Sequence, residues 1–208
     1  FVLHAVTILG VAHTAPFSPW SFGDYLSRMM PLLWLGMLFF LTFYTSPQAR
    51  RAAILMDATP MPPKQYALAR CAAALTGGAL LTLLCMVEAA VFYGRMFHWY
   101  SWGSLLLPAL VTLLPALVFA LGSGWLAGQI RPWLVYVWMA VPFLLAALPL
   151  PEALGLWNGS FFTAYPLTLE TLDPAFVVPV GVTVVQVVLL AAGTVLLILG
   201  SNRRKVMR

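Results

Sequence analysis

Glu88 is the ionisable side chain set deepest inside an apolar stretch of this sequence, between Leu84 and Val91. A carboxylate among apolar neighbours is costly, and where one occurs it commonly binds a proton, an ion or a polar part of a cargo. Glu88 is therefore a candidate residue of a substrate path, or the proton-binding carboxylate of a secondary transporter. Against proton coupling, it has no acidic or basic partner inside the other apolar stretches, and no inverted repeat is visible. Arg95, seven residues on along the same helical face, offers a structural partner near the end of that stretch.

The other reactive residues point away from catalysis. His4, His13 and His98 are isolated, with no HExxH or other metal-ligand spacing. Gly122-Ser123-Gly124 faintly resembles a nucleophilic serine turn, but no histidine follows in the later apolar stretches to act as its base. Cys71 and Cys85 lie on one predicted helix, about 21 Å apart along its axis at roughly 1.5 Å per residue, which is beyond disulfide reach. Buried thiols are expected. No GxxxxGK[ST] phosphate loop occurs, so the chain is expected neither to be an enzyme nor to hold ATP or any other cofactor or metal itself.

Polar chemistry concentrates instead in SPQARRAAILMDATPMPPKQYALAR, from Ser46 to Arg70. Ser46 and Pro47 suit a helix cap and first turn, Arg50, Arg51, Ile54, Leu55 and Asp57 follow, and Thr59-Pro60 ends the segment. The spacing predicts a short helix over 46–60 whose small and apolar edge fits a groove on a partner while the arginines stay wet. The same residues also fit a solvated loop whose arginines only set topology. Pro62 and Pro63 suit the start of the next helix.

These elements must sit in a membrane. With 62% hydrophobic and 8% charged residues, and a mean hydropathy of +0.93, a water-soluble globule would have too few charges to solvate its surface. The net charge of +5 does not indicate nucleic acid as a partner, because the basic residues are scattered between apolar spans and form no groove with interleaved aromatics. A hydrocarbon core of about 30 Å takes roughly 20 apolar residues per helix. Six spans approach that length: 1–15, 30–45, 65–93, 104–127, 132–150 and 175–200. The first opens on Phe1 rather than methionine, so its true beginning is expected to be missing.

The charges then assign the sides. Arg50, Arg51, Lys64, Arg70, Arg131, Arg203, Arg204, Lys205 and Arg208 fall on one side, and only Arg28 and Arg95 on the other. The positive-inside rule makes the first side cytoplasmic, with both termini there. Trp20, Tyr25, Tyr93, Trp99, Tyr100, Trp102, Trp157 and Tyr165 gather near the outer boundary, where amphipathic rings favour headgroups. Ala69, Ala73 and Gly77, and Gly124 with Gly128, have the four-residue spacing that lets helices approach closely. Pro108, Pro115 and Pro142 lie inside spans and predict bends.

The connector, six spans and inside termini together resemble the membrane subunit of a type-2 ABC exporter, over nearly the whole chain. Ile54-Leu55-Met56-Asp57-Ala58-Thr59-Pro60 is similar to the LLATP-like pattern after that family's coupling helix, Pro63-Lys64-Gln65-Tyr66 to its polar turn, and Arg70 to its basic position. Ala164-Tyr165-Pro166-Leu167-Thr168 resembles the family's NPLTY-like segment. Ser46-Pro47-Gln48 departs from the family, which often has acidic residues there.

The resemblance implies an all-α, polytopic, single transmembrane domain over 1–208, with a cytoplasmic coupling helix at 46–60 and a re-entrant outer hairpin at 151–174, between spans five and six. It further implies a permease in a bacterial inner membrane that exports an amphipathic or hydrophobic peptide, drug or lipid. Its partners would be an ABC ATPase subunit, which holds ATP and Mg, and a second permease chain, identical or related. Arg50, Arg51, Ile54, Leu55, Asp57, Thr59 and Pro60 would couple to the ATPase, and Tyr165 and Pro166 would belong to the hairpin. The competing readings are a proton-coupled transporter using Glu88 and a non-transporting membrane scaffold or immunity-type protein.

Overall fold

In a computed structural model of the chain, the described residues are Val2, 18–46, 48, 49, 51, 63–169 and 175–202. They form helices α1 (Pro19–Thr45), α2 (Pro63–Met96), α3 (Gly103–Ile130), α4 (Trp133–Ala147), α5 (Ser160–Ala164) and α6 (Val180–Asn202), with 3-10 turns at Glu152–Leu154 and Tyr165–Leu169. No strand occurs among the described residues. Four helices, α1, α2, α3 and α6, are long and apolar enough to cross a membrane.

α1 is the hub. Ser18 accepts from the Ser21 amide at 3.4 Å, and Pro19 occupies the first turn, where it forfeits no hydrogen bond. The helix continues through Pro31 to Thr45, so it begins eleven residues before the expected start at Met30. Its 27 residues reach about 40 Å, more than a hydrocarbon core is thick. Trp20, Phe22, Tyr25, Leu26, Met29, Leu33, Trp34, Met37 and Leu41 are all buried along it.

α3 packs on α1 in the same direction. Gly124 faces Leu38 and Leu41, and Gly128 faces Thr45, as their four-residue spacing predicts. α2 runs antiparallel, with Gly77 against Phe40 and Gly78 against Met37. Ala69 and Ala73, which share that spacing, are exposed in the single chain. α6 lies beside α3, and there the backbones touch: a Cβ on Gly122 would sit 2.1 Å from the Gly193 carbonyl oxygen, and one on Gly193 would sit 2.8 Å from the Phe119 backbone. Neither glycine fits the four-residue pattern, because the residues four positions away are large: Val118 and Leu126 for Gly122, Leu189 and Leu197 for Gly193.

α2 and α6 turn large apolar side chains outward, among them Leu80, Leu83, Leu84 and Val91 on α2 and Val184, Val187, Val195 and Ile198 on α6. Apolar surface that extensive would drive aggregation in water and is the natural surface in lipid. The chain is thus a helical, membrane-embedded protein. α4 has 15 residues, about 22 Å, and is shorter than the expected span 132–150. The sixth span begins at Val180 rather than Ala175. Pro108, Pro115 and Pro142 are buried inside their helices. The expected first span, apart from Val2, lies outside the described residues.

Candidate functional site

A polar cleft of about 290 Å³ opens where α1, α4 and the segment after α4 meet, lined by Ser27, Arg28, Pro31, Phe143, Ala146, Trp157 and Asn158. α1 supplies its charge. Asp24 and Arg28 are four residues apart on the helix, and Arg28 Nε donates to Asp24 Oδ2 at 3.1 Å. Ser27 is buried and donates from its hydroxyl to the Asp24 carbonyl at 2.7 Å.

The chain after α4 closes the cleft because Gly159 permits it. Gly159 has φ of 80°, in the left-handed region, and a Cβ there would lie 2.5 Å from Asp24 Oδ1 and 2.8 Å from Ser27 Oγ. Its neighbour Asn158 is held by its own bonds, donating from Nδ2 to the Leu148 carbonyl at 3.1 Å and accepting at Oδ1 from the Ser160 amide and hydroxyl. Trp157 then reaches down α1 to Trp34, ring centroids 5.5 Å apart. Phe161, Tyr165 and Phe176 close around Trp20 at the tip, with centroids 5.7, 5.9 and 4.8 Å away.

Below the cleft a hydrogen-bonded chain ties three helices. Trp34 Nε1 donates to the Trp138 carbonyl at 3.2 Å, and Trp138 Nε1 donates to Ser123 Oγ at 2.7 Å. Ser123 in turn donates to the Phe119 carbonyl. The serine of Gly122-Ser123-Gly124 is thus a link in a packing network.

Glu88 sits elsewhere. It is half-buried on α2, close enough to Tyr25 and Cys85 to act on them electrostatically, and does not line the cleft. Tyr25 and Tyr93 meet edge-on at 6.3 Å beside it. A cavity of about 10 Å³ lies between Tyr25, Met29, Thr82, Cys85 and Leu113, room for about one water at most. Cys71 and Cys85 are buried and free.

Of the residues expected to couple to a partner, Arg51 is helical and exposed. Arg50, Ile54, Leu55, Asp57, Thr59 and Pro60 lie outside the described residues. Arg70, at the basic position that the resemblance implies, is buried on α2. Tyr165 and Pro166 are half-buried in the turn that follows α5, where Tyr165 stacks on Phe161 at 5.2 Å. Trp20, Tyr25, Tyr93 and Trp157 are core residues rather than a headgroup belt, whereas Tyr100 and Trp102 are exposed as that belt requires. Among the described residues no three His, Cys, Asp or Glu side chains are grouped to hold a metal ion.

Asp24, Ser27, Arg28 and Asn158 carry the cleft, and sequence reasoning passed over them. The acid-to-base spacing of four between Asp24 and Arg28 was the available signal, hidden because the segment before Met30 read as a loop.

The arrangement defines a class, the all-helical proteins with several membrane-spanning helices. No protein-family model, characterised protein or solved structure matches the chain.

Proposed function

We propose that the chain is the membrane-spanning permease subunit of an ATP-driven ABC exporter of the type-2 class, moving an amphipathic or hydrophobic substrate. The observation that carries this reading is the pairing of a short α4 with the broken segment 152–169 folded back against α1. α4 is too short to cross a core of about 30 Å alone. Irregular backbone at membrane depth is tolerated only where protein or water covers it, and Leu156, Trp157, Phe161 and Phe162 are all buried. This fits the re-entrant outer hairpin that the sequence resemblance implies.

In this reading the Trp20 end faces outward and both termini lie in the cytoplasm of a bacterial cell. The connector 46–60 engages a separate ATPase, and a second permease chain completes the pathway. Closure of the ATPases shifts the inward-to-outward equilibrium through the connector, because the partner binds the two states unequally.

The test is purification of the tagged chain in mild detergent with identification of co-purifying proteins by mass spectrometry. A stoichiometric ATPase is expected with wild type and is expected to be lost in Arg50→Glu/Arg51→Glu. Its absence from wild type would falsify the assignment, and retention in the double variant would remove the connector from the docking role.

A second reading rests on Glu88, which is half-buried and close enough to Tyr25 to act on it electrostatically. Transport stopped by a protonophore but indifferent to ATP depletion would establish proton coupling in its place.

A further inference from the structure

We infer that the cleft at Arg28 binds the anionic head of an acylated amphiphile, a phospholipid of the leaflet at the Trp20 end. The guanidinium is held by one edge only. Its Nε is fixed on Asp24 Oδ2 at 3.1 Å, and among the described residues no other partner engages it, so the Nη groups are left to the cleft. A guanidinium held in this way presents a planar pair of donors, the geometry that takes a phosphate or carboxylate through two parallel hydrogen bonds.

Ser27 spends its one O–H on the Asp24 carbonyl, and the Asn158 amide is held at both ends. The charged donors of the cleft are the Nη groups of Arg28, and they favour an anionic head over a neutral one.

The surroundings select an acylated ligand over a free anion. Pro31, Phe143, Ala146 and Trp157 form the rest of the wall. Phe143 is exposed, as are Leu144 and Leu148 beside it, so the cleft opens onto the lipid-facing surface of α4. Arg28 lies nine residues along α1 from Pro19, about 13 Å, and its side chain is 56% exposed, so the guanidinium is open to a ligand. None of this depends on the transport reading or on which end faces the cell.

The experiment compares lipid retention by wild type, Arg28→Gln, Arg28→Lys and Arg95→Gln after extraction from vesicles of equal phosphatidylglycerol and phosphatidylcholine content, read by native mass spectrometry. Wild type is expected to keep one phosphatidylglycerol in preference to phosphatidylcholine. Arg28→Gln is expected to lose that preference by about tenfold, as for a charge-assisted bidentate contact, and Arg28→Lys is expected to keep part of it. Circular dichroism and a monodisperse elution profile identify folded variants, and Arg95→Gln controls for any exposed positive charge. Equal retention by wild type and folded Arg28→Gln overturns the proposal, and so does an equal loss in Arg95→Gln. Displacement of the bound lipid by millimolar inorganic phosphate would assign the site to a free anion and overturn the acylated ligand.

Discussion

The indole N–H of Trp138 on α4 donates to the hydroxyl of Ser123 on α3 at 2.7 Å. Ser123 passes its own proton to the Phe119 carbonyl of its helix. The serine therefore satisfies the half-buried indole of Trp138. Ser123→Ala is expected to destabilise the protein by about 1 kcal/mol, and a double-mutant cycle with Trp138→Phe should return a coupling of roughly 0.5–1 kcal/mol. The check is the unfolding equilibrium in detergent or bicelles, where strict additivity of the two changes would mean that the bond carries no net stability.

The contact between Gly122 and Gly193 is of a different kind, because backbone meets backbone. A side chain at either position would have to displace the opposite helix, since a carbonyl and a main-chain segment cannot rotate away as a leucine tip can. Gly193→Val is expected to separate α3 from α6 and abolish a monodisperse fold. Gly181→Ala, on the same helix with nothing within 4 Å, should be silent. Size-exclusion profiles of the two variants decide the matter, and a well-behaved Gly193→Val would show that the seam is looser than its geometry implies.

Span-level organisation was legible in the sequence because lipid demands long apolar helices, and α2 and α3 fall within three residues of the expected limits at each end. α1 and the polar cleft were not. Asp24 and Arg28 lie before the expected span start at Met30, and only the fold shows that the helix extends outward past them, with Arg28 Nε on Asp24 Oδ2. Pro31 sits in mid-helix rather than at a boundary. Trp157 and Tyr93 were read as headgroup aromatics because position along the chain cannot show that Trp34 and Phe22 stand opposite them. Gly122 and Gly193, 71 residues apart in sequence, could be paired only by the fold.

Gly159 ties the segment after α4 to α1, and its requirement is both conformational and steric. At φ of 80° an L-residue costs about 1 kcal/mol, and a Cβ would press on Asp24 Oδ1 at 2.5 Å. Gly159→Ala is expected to lower the thermal midpoint and to raise protease cleavage between residues 148 and 169, with the four long helices still folded. Limited proteolysis with mass-spectrometric mapping measures this directly. A cleavage pattern identical to wild type would mean that Trp20 and its ring neighbours hold the segment without the glycine.

Glu88 gives the sharpest separation between an ATP-driven permease and a proton-coupled transporter. Glu88 lies near enough to Tyr25 and Cys85 to act on them electrostatically, and the cavity at Tyr25 and Cys85 holds about one water at most, so no hydrated proton path runs through it. In proteoliposomes loaded with a pH-sensitive dye and given an imposed potential, wild type and Glu88→Gln are therefore expected to show the same slow proton leak. Glu88→Gln should also leave any co-purifying ATPase in place, since it lies far along α2 from the connector. A proton flux present in wild type and lost in Glu88→Gln would reverse the reading, because only a carboxylate that loads and releases its proton across the seam could produce that difference.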